Sequence, residues 1–221
     1  EYVLAERAAL AFAVSPDDAE AIHPRVESLP HAVDTETFRP AQEPVAEPVV
    51  AFTGNLAYPP NRQAALWFGR EVWPRIVRVA PDARLRLAGV DAPRDVRALA
   101  GPGVELMSPV DDMAAFLREA AVAVAPMRSG GGVQTKVLEA MATGLPVVAT
   151  SLANSGIRAQ DGEQIVVADG AEAFAEAVGG LLRSAEKRRL FGTAAREFVV
   201  ANYAETSLTR RLLDRYASLS E

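Results

Sequence analysis

No cysteine occurs anywhere in this chain, which removes disulfides, thiolate nucleophiles and cysteine-ligated zinc. Histidine is nearly as scarce. His23 and His31 are too few and too close in sequence for a His-rich metal site, so metal catalysis through His and Cys is excluded. Long apolar runs are missing too: none approaches the ~20 residues a membrane helix needs, and the opening Glu1-Tyr2-Val3 lacks the charged-then-apolar layout of a signal peptide. The chain therefore reads as cytoplasmic, with peripheral membrane association left open for a longer parent protein, and its abrupt start reads as that of a fragment. Positive charge is also short, with 23 Lys and Arg against 29 Asp and Glu, a net charge of −6. That balance argues against a nucleic-acid partner. What is present, 221 residues of which 49% are hydrophobic, suffices for one full domain with a sizeable core and a piece of a second.

The apolar run Leu10-Ala11-Phe12-Ala13-Val14 followed by Ser15-Pro16-Asp17-Asp18 predicts a buried strand and then a capped helix with acidic first-turn residues. Prolines at 40, 44 and 48 among polar and acidic residues mark a linker, so residues 1–46 are read as a remnant of another domain plus that linker. From Val49 short apolar runs alternate with longer amphipathic stretches, the signature of βαβ units. Strands are predicted at 49–53, 84–88, 104–107, 122–125, 146–150 and 164–167, with helices at 61–80, 93–100, 113–119 and 133–143. A Rossmann-like α/β fold follows, a six-stranded parallel sheet with helices on both faces, over residues 47–202. Past the sixth strand the pattern is purely helical, at 171–183, 186–202 and 205–219, and residues 203–221 are assigned to a C-terminal crossover helix.

Ligands of open α/β sheets sit beyond the carboxyl ends of the strands, so the segments after each strand carry the candidate chemistry. After the first strand, Gly54 and Asn55 begin a turn in which glycine lets the backbone approach a ligand; a glycine needed only for the turn is an equal reading. After the fourth comes Arg128-Ser129-Gly130-Gly131-Gly132-Val133-Gln134-Thr135-Lys136-Val137-Leu138-Glu139. Glycines opening a helix expose N–H groups at its positive end, a seat for a diphosphate, with Arg128 and Lys136 as flanking cations. Lys136 and Glu139 share a helix face, and Glu139, set back from the anion-binding end, is placed to accept hydrogen bonds from vicinal ribose hydroxyls. The competing reading is a flexible loop before an amphipathic helix with a surface ion pair. The third segment, Thr150 to Gly156, is expected to be a small polar loop on the same crevice or a plain turn. Glycine does not directly precede Lys136, and no Gly-x-Gly-x-x-Gly follows the first strand, so neither a Walker A ATPase nor a dehydrogenase fits.

The stretch Gly132-x-x-x-Lys136-Val137-Leu138-Glu139-Ala140-Met141-Ala142-x-Gly144-x-Pro146-Val147-Val148 resembles the donor-binding signature of glycosyltransferase family 4, the group 1 glycosyltransferases of GT-B fold. Phe52-Thr53-Gly54-Asn55, Tyr58-Pro59-Pro60-Asn61, Trp67-Phe68 and Val110-Asp111-Asp112 resemble its exopolysaccharide-associated sugar transferases. Leu29-Pro30-His31-Ala32-Val33-Asp34 resembles the crossing from the acceptor domain, with His31 and Ala32 departing from the usual Asn-Gly.

The resemblance implies the C-terminal, donor-binding half of a retaining transferase acting on a UDP- or GDP-sugar in polysaccharide or glycoconjugate assembly, with no cofactor and no metal requirement. It places Val110 at the nucleobase and Glu139 at the ribose. Gly131 stands where a sugar-contacting glutamate is usual, and the basic pair often found in the first loop is absent. Gly54, Asn55, Val110, Arg128, Gly130, Gly131, Gly132, Val133, Lys136 and Glu139 are the candidate substrate-binding residues, and no catalytic residue can be nominated. The missing partner is the N-terminal acceptor domain, or a second copy of the chain covering the seam left by it. A non-catalytic nucleotide-binding module is the alternative from another class. A nucleotide-sugar 2-epimerase of the same architecture would need crevice carboxylates and a histidine that the sequence does not offer.

Overall fold

The computed structural model describes residues 1–43 and 45–219. It opens with a small unit of helix α1 (Tyr2–Arg7), strand β1 (Ala11–Ala13), helix α2 (Pro16–Ile22) and strand β2 (Val26–Ser28). β1 and β2 pair in parallel, with Ala11 opposite Val26. The α2 cap is as expected: the Asp18 amide donates to the Ser15 hydroxyl at 3.1 Å, and Asp17 and Asp18 occupy the first turn, where the helix dipole favours negative charge. β2 is not predicted, because Val-Glu-Ser is too short to show a period.

The main body is a six-stranded parallel sheet of β3 (Val49–Asn55), β4 (Arg84–Val90), β5 (Val104–Met107), β6 (Val122–Ala125), β7 (Val147–Ala149) and β8 (Val166–Val167). Its order is β5-β4-β3-β6-β7-β8. The predicted Rossmann-like sheet is present, with the last two strands shorter than expected. β6 is buried along its whole length and β3 along its first five residues, because helices cover both faces, and this is why both read as unbroken apolar runs. The order reverses between β3 and β6. The chain leaves β3 for β4 on one side and later lays β6 on the other, which opens a crevice beyond the carboxyl ends of these two strands.

The helices are α3 (Pro59–Trp67), α4 (Trp73–Val79), α5 (Arg94–Arg97), α6 (Met113–Arg118), α7 (Thr135–Ala142), α8 (Ser151–Ser155), α9 (Ala171–Leu182), α10 (Ala185–Tyr203) and α11 (Glu205–Ala217). The helix expected over 61–80 is interrupted by a π-helical turn at Phe68–Val72. Pro74 lies just beyond and has no N–H to return to the Arg70 carbonyl, so the regular ladder cannot run through. Trp67 and Phe68 meet Phe174 of α9 edge-on, with ring centroids 6.0 and 5.9 Å apart, and close one layer of the core. α7 packs on α10 so closely that a Cβ at Gly192 would fall 2.0 Å from the Gly144 carbonyl oxygen.

The segment before β3 is better anchored than its linker composition suggests. Asp34 Oδ1 accepts from the amides of Glu36 and Thr37 at 3.0 and 2.9 Å, and its other oxygen accepts from the Thr37 hydroxyl, which holds the Asp34 carboxyl below its ordinary pKa. Arg196 Nη1 donates to the Phe38 and Ala142 carbonyls at 2.8 and 2.7 Å. The Val33 amide donates to the Tyr203 carbonyl at 2.8 Å, and Arg215 of α11 pairs with Glu27 of β2, so the first thirty-odd residues and the last helix are joined. Leu10, Phe12 and Leu212 are half-buried, while Tyr2, Val3, Leu4, Val14, Leu213 and Tyr216 are exposed. Among the described residues no helix is long and apolar enough to cross a membrane.

Candidate functional site

β3 ends by placing Gly54 and Asn55 at the crevice. Gly54 has φ 151° and is in register with Gly89, φ 156°, at the end of β4. The two backbones touch: a Cβ on Gly89 would lie 1.8 Å from the Gly54 carbonyl oxygen. Asn55 then shapes the turn itself, its Oδ1 accepting from the amides of Ala57 and Tyr58 at 2.9 and 3.1 Å. Asn61, one residue past Pro59-Pro60 on the first turn of α3, donates from Nδ2 to the Asn55 carbonyl at 3.0 Å. It is buried, and although it ends the Tyr58-Pro59-Pro60-Asn61 motif it is not among the candidate site residues read from the sequence.

The glycine triplet does not open α7. Gly130 (φ 98°) and Gly132 (φ 73°) are left-handed, a backbone that helix cannot continue, and α7 begins at Thr135 with Gln134 at its N-cap. The triplet instead forms an irregular loop against its neighbours. The Ser129 hydroxyl donates to Gln63 Oε1 at 2.7 Å, a Cβ at Gly130 would lie 3.4 Å from Pro60, and one at Gly156 would fall 2.4 Å from the Gly132 carbonyl oxygen. The β3 turn, the glycine loop and the segment after β7 thus meet around one crevice. That last segment is not the polar loop expected: Thr150 caps the short helix α8, its hydroxyl accepting from the Ala153 amide at 3.3 Å while donating to the Met127 carbonyl at 2.8 Å.

Lys136 is not a surface cation. Its side chain is largely buried, its Nζ donates to Asn61 Oδ1 and contacts Met127 Sδ at 3.1 Å, and it lies 5.6 Å from the centre of the Phe52 ring. Among the described residues no carboxylate pairs with it. Burial with neutral partners brings its pKa down to about 8. The surface ion pair with Glu139 is therefore not formed. The carboxylate of Glu139, half-buried one turn further along α7, makes neither hydrogen bond nor ion pair among the described residues, and desolvation raises its pKa. Arg128 is exposed and its guanidinium stacks 5.1 Å from the centre of the Trp67 ring.

Gly54, Asn55, Gly130, Gly132 and Lys136 are thus brought together through Pro60, Asn61 and Gly156. Val110 and Val133 are half-buried and pack on the core, and no polar contact links either to the others. Asp112, in the motif with Val110, serves as the N-cap of α6, accepting from the Ala115 amide at 2.8 Å. Gly89 was missed, although it follows its predicted strand with the same glycine signal that marked Gly54, whereas Gly156 closes the third segment that the sequence placed at this crevice. A cavity of about 710 Å³ lies elsewhere, at the amino ends of β6 and β7 between residues 40–43 with Val45 and α10, and the glycine loops do not reach it.

An open doubly wound parallel sheet with glycine loops converging at its switch point defines the chain as a Rossmann-like α/β domain. Residues 47–184 match the family model of the "Glycosyl transferases group 1", and the chain belongs to that family. It is 29% identical over 163 residues to an uncharacterised 44.6 kDa protein in the cps region of Klebsiella pneumoniae, covering 70% of this chain and 42% of that one. It is 29% identical over 191 residues to a phosphatidyl-myo-inositol mannosyltransferase of Mycobacterium leprae, covering 81% and 50%. The chain thus spans about half the length of these curated relatives. Among solved structures, HepE of Anabaena, crystallised with UDP, superposes with a TM-score of 0.81 over 98% of this chain and 66% of its own at 13% identity, a likeness of fold.

Proposed function

We propose that this chain is the donor-binding half of a retaining glycosyltransferase that moves a sugar from a UDP- or GDP-sugar to an acceptor in polysaccharide or glycoconjugate assembly. The observation that carries the reading is the meeting of the Gly54-Asn55 turn and the Gly130–Gly132 loop at the sheet's switch point, with the buried Lys136 cation between their strands. In this reading the glycine backbones and Arg128 receive the diphosphate, Val110 lies at the base, and Glu139 accepts from the ribose hydroxyls. Its raised pKa and lack of a protein partner suit a carboxylate that waits for ligand donors. The UDP in HepE and the cps-region and mannosyltransferase relatives support the same direction. No resident metal is assigned, because backbone dipoles and cations can stabilise a departing diphosphate.

The acceptor domain, in this reading, covers the exposed apolar side chains of α1 and α11, and a second copy of the chain is the other occupant of that seam. Catalysis needs both substrates held in near-attack geometry, so the chain alone is assigned donor binding without transfer. Calorimetric titration with UDP and GDP tests the proposal. Saturable binding of at least one, weakened about tenfold or more in Glu139→Ala through loss of a charge-assisted hydrogen bond, is expected. No binding of either nucleotide, or an unchanged affinity in Glu139→Ala, contradicts it.

A further inference from the structure

The ammonium of Lys136 does not point its hydrogen bonds at open solvent. It donates to Asn61 Oδ1, and Asn61 spends its own amide N–H on the Asn55 carbonyl at 3.0 Å. Asn55 in turn organises the amides of Ala57 and Tyr58. The chain of contacts runs from α7 through α3 to the turn after β3, and so crosses the crevice between the two strands where the sheet order reverses. A methionine or leucine could fill the space between Met127 and the Phe52 ring without burying a charge. An ammonium held there by neutral groups alone is a net cost to the free protein. Its charged neighbours in sequence are Arg128, after Met127, and Glu139, three residues on, and neither pairs with it.

We infer that Lys136 and Asn61 are a positioning pair: Lys136 does not grip the phosphates itself but locks the Asn61 amide, which pins the Asn55 carbonyl and sets the Gly54–Tyr58 turn against the glycine loop. For donor binding this rests on the function proposed above; for the turn itself it does not. An anion bound at the crevice also favours the charged form of the lysine, so binding takes up a proton at slightly alkaline pH.

The test has two arms. In the absence of any ligand, amide hydrogen exchange is followed in wild type, Lys136→Met and Asn61→Asp. The aspartate keeps an acceptor for Lys136, removes the N–H that Asn55 uses and strengthens the Lys136 contact by its charge, so it decides the matter for the turn if the methionine variant fails to fold. Exchange at Ala57 and Tyr58 is expected to accelerate at least tenfold in both variants while their melting temperatures stay at or above wild type. Unchanged exchange at these two amides in a folded variant overturns the pair. In the second arm, UDP and GDP are titrated at pH 8.5 in buffers of different ionisation enthalpy. Net proton uptake by wild type, and at least tenfold weaker binding in Asn61→Ala, which adds no charge at the crevice, are expected. Binding without proton uptake, or binding by Asn61→Ala within threefold of wild type, overturns the pair. A wild type that binds neither nucleotide defeats the proposed function instead, and the exchange arm still decides the pair.

Discussion

Gly54 and Gly89 face each other at the ends of β3 and β4 with no room for a side chain, the Cβ that Gly89 lacks falling 1.8 Å from the Gly54 carbonyl oxygen. Both have φ near the limit that L-residues tolerate, 151° and 156°. Gly89→Ala is therefore expected to push the Gly54 turn out of place. Overpacking of this kind costs typically about 1–3 kcal/mol, and the positive φ adds to it. Thermal melts should show a clear drop for Gly89→Ala and little change for Gly101→Ala, where nothing lies within 4 Å of the added Cβ. Nucleotide affinity should fall with the first and hold with the second.

The buried Lys136 gives the free protein a pH signature whose sign is fixed. Its folded pKa is lowered from 10.5 to about 8, so below pH 8 the lysine is charged in both the folded and unfolded states and the desolvation penalty is fully present. As pH rises from 8 toward 10.5 the native state releases the proton before the unfolded chain does, and the penalty fades. A depression of that size corresponds to a net penalty on the order of 3 kcal/mol at neutral pH. Urea denaturation should find Lys136→Met the more stable protein at pH 7, with the gap closing by pH 10. A gap that stays flat across that range contradicts the burial.

Arg196 links two distant pieces of chain. Its Nη1 serves both the Phe38 carbonyl, ahead of the linker, and the Ala142 carbonyl, at the end of α7 where the helix leaves its last acceptors unpaired. Desolvation lowers its pKa, while the charge of Glu36 acts in the opposite direction. Arg196→Ala is expected to cost about 1–3 kcal/mol and to open residues 39–43 to limited proteolysis. Arg196→Lys should recover only part of the loss, because the shorter lysine side chain does not carry its nitrogen as far as Nη1, which makes both bonds.

The sheet was legible because a parallel strand buried on both faces leaves an apolar run, as in Val49-Val50-Ala51-Phe52 and Val122-Ala123-Val124-Ala125, and no other element looks like that at such a length. The crevice was legible from topology and from glycines placed after strands. What local pattern does not carry is which partner a side chain finds. Helical spacing puts Lys136 and Glu139 on one face, yet only the packing of α3 across β3 shows that Lys136 turns inward to Asn61. The start of α7 was misplaced because glycine permits both helix and left-handed backbone, and the neighbours Pro60 and Gly156 decide between them. Thr150 looked like a loop residue because a cap and a turn use the same side chains. The interruption at Phe68–Val72 had a visible cause in Pro74, which apolar periodicity alone passes over.

The account stands most directly on where a nucleotide touches this chain. Two-dimensional amide spectra of the labelled protein, recorded as UDP and then GDP are added, locate that contact residue by residue. The account predicts that the largest shifts fall on Gly54 to Ala57 and on Gly130 to Gln134, with Glu139 perturbed as well. Shifts confined to the cavity at the amino ends of β6 and β7, around Gln42, Arg189 and Thr193, or no shifts at all with either nucleotide, would contradict it.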